Sequence, residues 1–165
     1  MSRWCSPGYL QEVWLRVADY FKDNLIFLDL EASDKSVAIS KMVHRMKLAD
    51  AIDDEAKFYK EVLEREKLGS TSIGNGVALP HARTENVSEI VVAMARLREG
   101  INYDDENTLP VRLIFLLGTP LKAVGEYLKV LARLSKILKE NSTRKSLLEA
   151  DSATRIRQIF SQAED

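Results

Sequence analysis

Val111-Arg-Leu-Ile-Phe-Leu-Leu117 is a nearly continuous apolar run, the pattern of a strand covered on both faces. Upstream, Ile90 to Leu97 is rich in branched residues and Val77 to Leu79 makes a shorter piece of the same character. Downstream, from about Leu121, the period changes to that of a helix. Val124, Leu128, Leu131, Leu134 and Leu138 fall on one stripe, with Lys122, Lys129, Arg133 and Lys136 elsewhere. Asn141 and Asp151 are candidate caps for two final short helices, the last holding Ile156, Ile159 and Phe160.

Toward the N-terminus, Leu25 to Leu28 reads as a short strand. Ser33 or Asp34 then caps a helix that buries Val37, Ile39, Met42, Val43 and Met46. The next helix starts near Asp53, packs Phe58, Tyr59, Val62 and Leu63 inward, and stops at Gly69 in a left-handed turn. In front of these lies an amphipathic segment, about Tyr9 to Phe21, introduced by Pro7 and Gly8 and striped by Leu10, Val13, Trp14, Val17 and Phe21. The expected architecture is α/β: a mixed β-sheet covered by helices on both faces, with an extra N-terminal helix. Residues 1–20 form that extension and 21–165 the domain.

With 165 residues, 45% of them apolar, the chain buries a core without metal or disulfide. Lys and Arg number 24 against 25 acidic residues, a balance that argues against a nucleic-acid binder and toward protein partners. Cys5 is the single cysteine, and His44 and His81 lack a zinc spacing, so neither a metal site nor a cofactor is expected. The apolar runs are too short to cross a bilayer and the first 30 residues are charged, so a cytoplasmic location is expected, with no membrane insertion.

The segment Gly69 to Arg83, GSTSIGNGVALPHAR, carries the chemistry. Its glycines permit close approach of backbone N–H groups to an anion, although such a loop can equally be a plain turn, and it lacks the Gly-Lys-Ser/Thr ending of a nucleotide P-loop. Pro80 fixes its own backbone and extends Leu79, which presents His81 at a strand edge. An imidazole titrating near pH ~6.5 offers a neutral nitrogen nucleophile at cytosolic pH, and an N–P bond made on it remains reactive enough to pass phosphate on. His44, flanked by Lys41 and Arg45, reads as a solvated side chain, and Asp104, Asp105 and Glu106 as an exposed turn.

The longer segment from Arg65 through Leu68-Gly-Ser-Thr-Ser-Ile-Gly-Asn-Gly-Val-Ala-Leu-Pro-His81 resembles the active-site signature of the mannitol/fructose-type enzyme IIA family of the sugar phosphotransferase system, including its nitrogen-regulatory branch. The likeness extends more loosely from about Leu25 to the C-terminus. It implies that His81 accepts phosphate from an HPr-type phosphocarrier and that Arg65 neutralises charge on the transferring group. The alternative for Arg65 is a surface pair with Glu61 at i,i+4.

Two positions depart from the family pattern. Tyr127 stands where many members carry a second histidine, and Ser72 replaces the glycine of a Thr-Gly-Ile-Gly loop. A phenol can donate to a phosphoryl oxygen but brings no cationic ring. Thr71 and Ser72 are candidate phosphate contacts, or hydroxyls that only stabilise a turn. The implied function is a phosphocarrier that passes its phosphoryl group to a IIB partner or uses it to signal to a regulated target protein, with the nitrogen-regulatory type favoured. The competing reading is a non-enzymatic protein-binding regulator on the same fold. The striped N-terminal segment needs a surface to cover, on its own domain or on a second copy, which predicts docking or homo-oligomerisation.

Overall fold

The structure, a computed structural model, describes residues 15–104 and 109–165. Two short 3₁₀ turns, Val17–Tyr20 and Asp23–Leu25, lead into β1 (Ile26–Leu30), α1 (Lys35–Leu48) and α2 (Glu55–Lys67). The strands β2 (Ser72–Gly74), β3 (Val77–Ala78), β4 (His81–Arg83), β5 (Val91–Ile101) and β6 (Val111–Thr119) follow, then α3 (Val124–Leu138), α4 (Asn141–Glu149) and α5 (Ala153–Glu164). One mixed sheet runs β1-β5-β6-β3-β2, with β4 also paired to β6. β1 lies parallel to β5, and β3 and β4 lie parallel to β6, whereas β5–β6 and β2–β3 are antiparallel.

The apolar runs become strands because both faces are covered. Leu113, Phe115 and Leu117 of β6, with Val92 and Met94 of β5, pack against Val130, Leu134 and Ile137 of α3 and Ile156, Ile159 and Phe160 of α5. Their neighbours Ile114, Leu116, Ala93 and Ala95 face the other way, onto Ile39, Met42 and Met46 of α1 and Phe58 and Val62 of α2. Gly118 lets α2 come close, since a Cβ there would stand 3.2 Å from the Phe58 ring. Asp34 and Asp54 cap α1 and α2, each carboxylate accepting an N–H three residues on.

Several expectations are corrected. The expected helix through Phe21 is, over its described part, the 3₁₀ turn Val17–Tyr20; residues 1–14 lie outside the described residues. Glu164 is the reason, because its carboxylate takes the N–H groups of Val17 and Ala18, starting a new turn there. Val17 and Phe21 are core residues, with Phe21 stacked on Phe160 at 4.5 Å and edge-on to Phe115. α2 ends at Lys67 in a tight 3₁₀-type closure, Leu68 N–H to Arg65 O and Gly69 N–H to Glu66 O, and Gly69 sits at φ +155° instead of in the left-handed helical region. On α3, the buried stripe is Val130, Leu134, Ile137 and Leu138, continued by the partly buried Ala123 and Tyr127, while Val124 and Leu128 are exposed because they lie on the flank of the helix turned away from that stripe. Ser152, not Asp151, caps α5, and the α4 N-cap is Glu140. Of the expected acidic turn, Asp104 is described; Asp105 and Glu106 lie outside the described residues.

Candidate functional site

The glycine-rich stretch folds as a hairpin. β2 and β3 are joined by the two residues Asn75 (φ 59°) and Gly76 (φ 78°), both left-handed, as a tight two-residue turn requires. Gly74 and Gly76 thus serve the turn. β3 and β4 lie in line along β6, interrupted at Leu79-Pro80: Pro80 has no N–H to give, its carbonyl accepts from Leu117 N, and Leu79 N–H turns away to Thr71 O at 3.0 Å. His81 opens β4 beyond this break, half-buried.

Its Nδ1 lies 2.8 Å from the carbonyl oxygen of Leu79. A carbonyl can only accept, so Nδ1 carries the hydrogen and Nε2 keeps its lone pair. Burial pushes the imidazole below its ordinary value; the Leu79 bond opposes this, Arg65 lowers it further and Glu66 raises it. The net direction is downward, which leaves a neutral nucleophile at neutral pH.

Tyr127, half-buried on the first turns of α3, sets its ring 5.4 Å from the imidazole, tilted by 53°. Burial raises its phenol, with Arg65 and Arg83 pulling the other way. Arg65 therefore acts on both rings. Its Nη1 donates to Gly69 O at 2.9 Å at the end of α2. Glu61 is engaged elsewhere, accepting from Thr84 Oγ1 and Asn86 Nδ2, so the Arg65–Glu61 pair is not formed. Arg83 donates to Leu121 O at 2.9 Å, holding the loop before α3 against β4. Arg83 was not among the expected site residues, although the period of two along Pro-His-Ala-Arg places it on the face of His81.

The loop hydroxyls separate. Ser72 Oγ accepts from Gly74 N–H and keeps its own hydrogen to donate. Thr71 is buried and gives its proton to Glu66, with Tyr103 also in contact. His44 is exposed and pairs with Glu55 at 3.0 Å on the outer face of α1. Among the described residues, no group of three His, Cys, Asp or Glu side chains could hold a metal ion, and no helix is long and apolar enough to cross a membrane. His81 and Tyr127 thus lie together within the fields of Arg65 and Arg83, a neutral ring nitrogen and a phenol beside two guanidinium groups, a set suited to an anionic group.

Residues 19–163 match the family described as phosphoenolpyruvate-dependent sugar phosphotransferase system, EIIA 2. The chain belongs to that family. EIIA domains are phosphotransferase components, and the relatives of this one are named both for sugars and for nitrogen regulation. It is 32% identical over 148 residues to the fructose-specific EIIABC component of Bacillus subtilis, covering 90% of this chain and 23% of that larger protein. It is 30% identical over 144 residues to a nitrogen regulatory protein of Bradyrhizobium diazoefficiens, covering 87% and 94%. The solved nitrogen regulatory protein IIA-Ntr of Neisseria meningitidis superposes with a TM-score of 0.81 at 33% identity, covering 87% of this chain and 98% of that one.

Proposed function

We propose that this EIIA domain accepts a phosphoryl group on Nε2 of His81 from an HPr-type phosphocarrier and passes it to a IIB protein or uses it as a regulatory signal. The nitrogen-regulatory type is favoured by the likeness to IIA-Ntr over nearly that protein's whole length. The observation that carries the reading is the Nδ1–H to Leu79 O bond, which leaves the lone pair on Nε2 beside Arg65. That lone pair attacks phosphorus, the donor's P–N bond breaks, and its electron pair returns to the donor nitrogen. Negative charge spreads over the three phosphoryl oxygens in transit, and Arg65 and Arg83 are the guanidinium groups placed to neutralise it. Ser72 and Tyr127 supply neutral hydroxyls. Thr71, with its proton committed to Glu66, is left out of the phosphate contacts.

A protein donor also needs a face to dock on. Leu121, Val124 and Leu128 are exposed around Tyr127, as are Leu68 and Ile73 on the loop side. A compartment shared with such carriers is the cytoplasm.

The test is incubation with phosphoenolpyruvate, enzyme I and HPr, followed by a chase with a IIB protein. One acid-labile phosphoryl group per chain, absent from His81→Gln, is the expected result. A chain that binds phospho-HPr yet takes no phosphoryl group would instead be the non-enzymatic regulator.

A further inference from the structure

Glu66 is a carboxylate with only 3% of its side chain exposed, on the helix position next to Arg65. A charge in that setting must be fully paired. One oxygen accepts from Thr71 Oγ1 and from the Tyr103 hydroxyl at 2.9 Å; the other meets Lys35 Nζ at 3.3 Å. Lys35 also stands 4.9 Å over the Tyr103 ring, and Tyr103 and Thr71 share a 3.0 Å contact. Residues from the start of α1, the end of α2, the β2 loop and the segment after β5 are thereby tied at one buried point.

The knot connects to His81 through one backbone–backbone bond and one bond from the imidazole to the backbone. Thr71, held by its hydroxyl, accepts Leu79 N–H on its carbonyl at 3.0 Å, and the Leu79 carbonyl in turn accepts His81 Nδ1–H at 2.8 Å. Pro80, between them, is pinned by Leu117 N–H. Leu79, held at its N–H by Thr71 and accepting His81 at its carbonyl, is thereby tied through Thr71 to the buried Glu66 carboxylate.

We infer that Glu66, Thr71, Tyr103 and Lys35 are positioning residues that fix His81 in the Nδ1–H tautomer, so that Nε2 alone is free to react. The consequence for phosphoryl transfer rests on the function proposed above, whereas the tautomer itself does not. The same carboxylate fixes the end of α2 that carries Arg65, so clamp and nucleophile are set from one point.

The test is two-bond ¹H–¹⁵N correlation of the His81 ring in the unphosphorylated protein at pH ~8, above the ordinary imidazole range. Thr71→Val should lower the Nδ1–H to Nε2–H ratio of His81 by roughly 2- to 13-fold, the equivalent of one ordinary hydrogen bond, and Thr71→Ser should restore it. Tyr103→Phe should move the ratio the same way and carries the test if Thr71→Val fails to fold. Phosphorylation by phospho-HPr should slow in the same order at an unchanged half-saturating donor concentration. A His81 tautomer ratio that stays at the parent value in both Thr71→Val and Tyr103→Phe overturns the inference, even if both variants melt lower. A shifted ratio in a protein that accepts no phosphoryl group would leave it standing and remove the function instead.

Discussion

Arg65→Ala separates the resting protein from the reacting one. In the resting state, the guanidinium makes one partly exposed bond, to Gly69 O, so its loss should lower stability by no more than about 1 kcal/mol. In transfer, it would donate to phosphoryl oxygens carrying developing charge, where such a bond is worth about 1.5 to 3 kcal/mol, or roughly 13- to 160-fold in rate. A loss near 10² is also what removing one preorganised electrostatic donor commonly produces. A second consequence follows from Arg65 helping to hold the imidazole down. Without it, His81 titrates higher, and the acid limb of the rate–pH profile, where the ring is protonated and cannot attack, moves to higher pH. Burial is the larger cause and remains, so the shift is partial. Arg65→Lys keeps the charge but loses the planar fork and should fall between parent and alanine variant. Rapid-quench measurement of transfer from phospho-HPr across pH 5 to 8, with melting curves alongside, gives all these quantities. An alanine variant with the parent's rate and an unmoved acid limb would refute the reasoning.

Tyr127→Phe should slow transfer by about 2- to 13-fold, the equivalent of a neutral hydrogen bond made in the transition state, and Tyr127→His should match or exceed the parent rate; parent rates in Phe and a loss in His would make the ring a packing element. Removing residues 1–20 should lower stability by at least the roughly 1.5 to 3 kcal/mol of burying a side chain such as Val17, together with the Arg16 bonds to Ser161 and Asp165; an unaltered melting temperature would contradict that. Gly76→Ala places a Cβ 3.0 Å from Pro110 O at φ +78° and should cost about 1 to 2 kcal/mol in urea unfolding, with no loss if the turn simply relaxes.

The sheet and its covering helices were legible because their signals are local. Val111 to Leu117 is apolar at every position but one, and Ile39, Met42, Val43 and Met46 repeat at helical spacing, so each element declares its own burial. β5 runs past the expected Leu97 to Ile101, which pairs with Val111, and the exposed Arg98, Glu99 and Gly100 hid that continuation by breaking the apolar pattern. His81 and Arg65 lie within one recognisable segment. Glu66 had no comparable signal: its partners Lys35 and Tyr103 are distant in sequence, and a glutamate beside an arginine on a polar helix looks solvated until the fold closes over it. The burial of Thr71 was hidden for the same reason, since a loop threonine next to a glycine hairpin gives no hint that its hydroxyl turns inward. The stripe on α3 failed at Val124 and Leu128 because apolar residues occupy two adjacent flanks of this helix, and periodicity alone does not say which of them meets the sheet.

Nε2 of His81 is the proposed reacting atom. Phosphorylating the ¹⁵N-histidine-labelled chain with phosphoenolpyruvate, enzyme I and HPr, then recording ¹H–¹⁵N and ³¹P spectra at pH ~8, places the phosphorus on a single nitrogen. The predicted result is phosphorus coupled to Nε2 of His81, with Nδ1 still protonated toward Leu79 and no signal in His81→Gln. Phosphorus on Nδ1, on His44, or persisting in His81→Gln would contradict it.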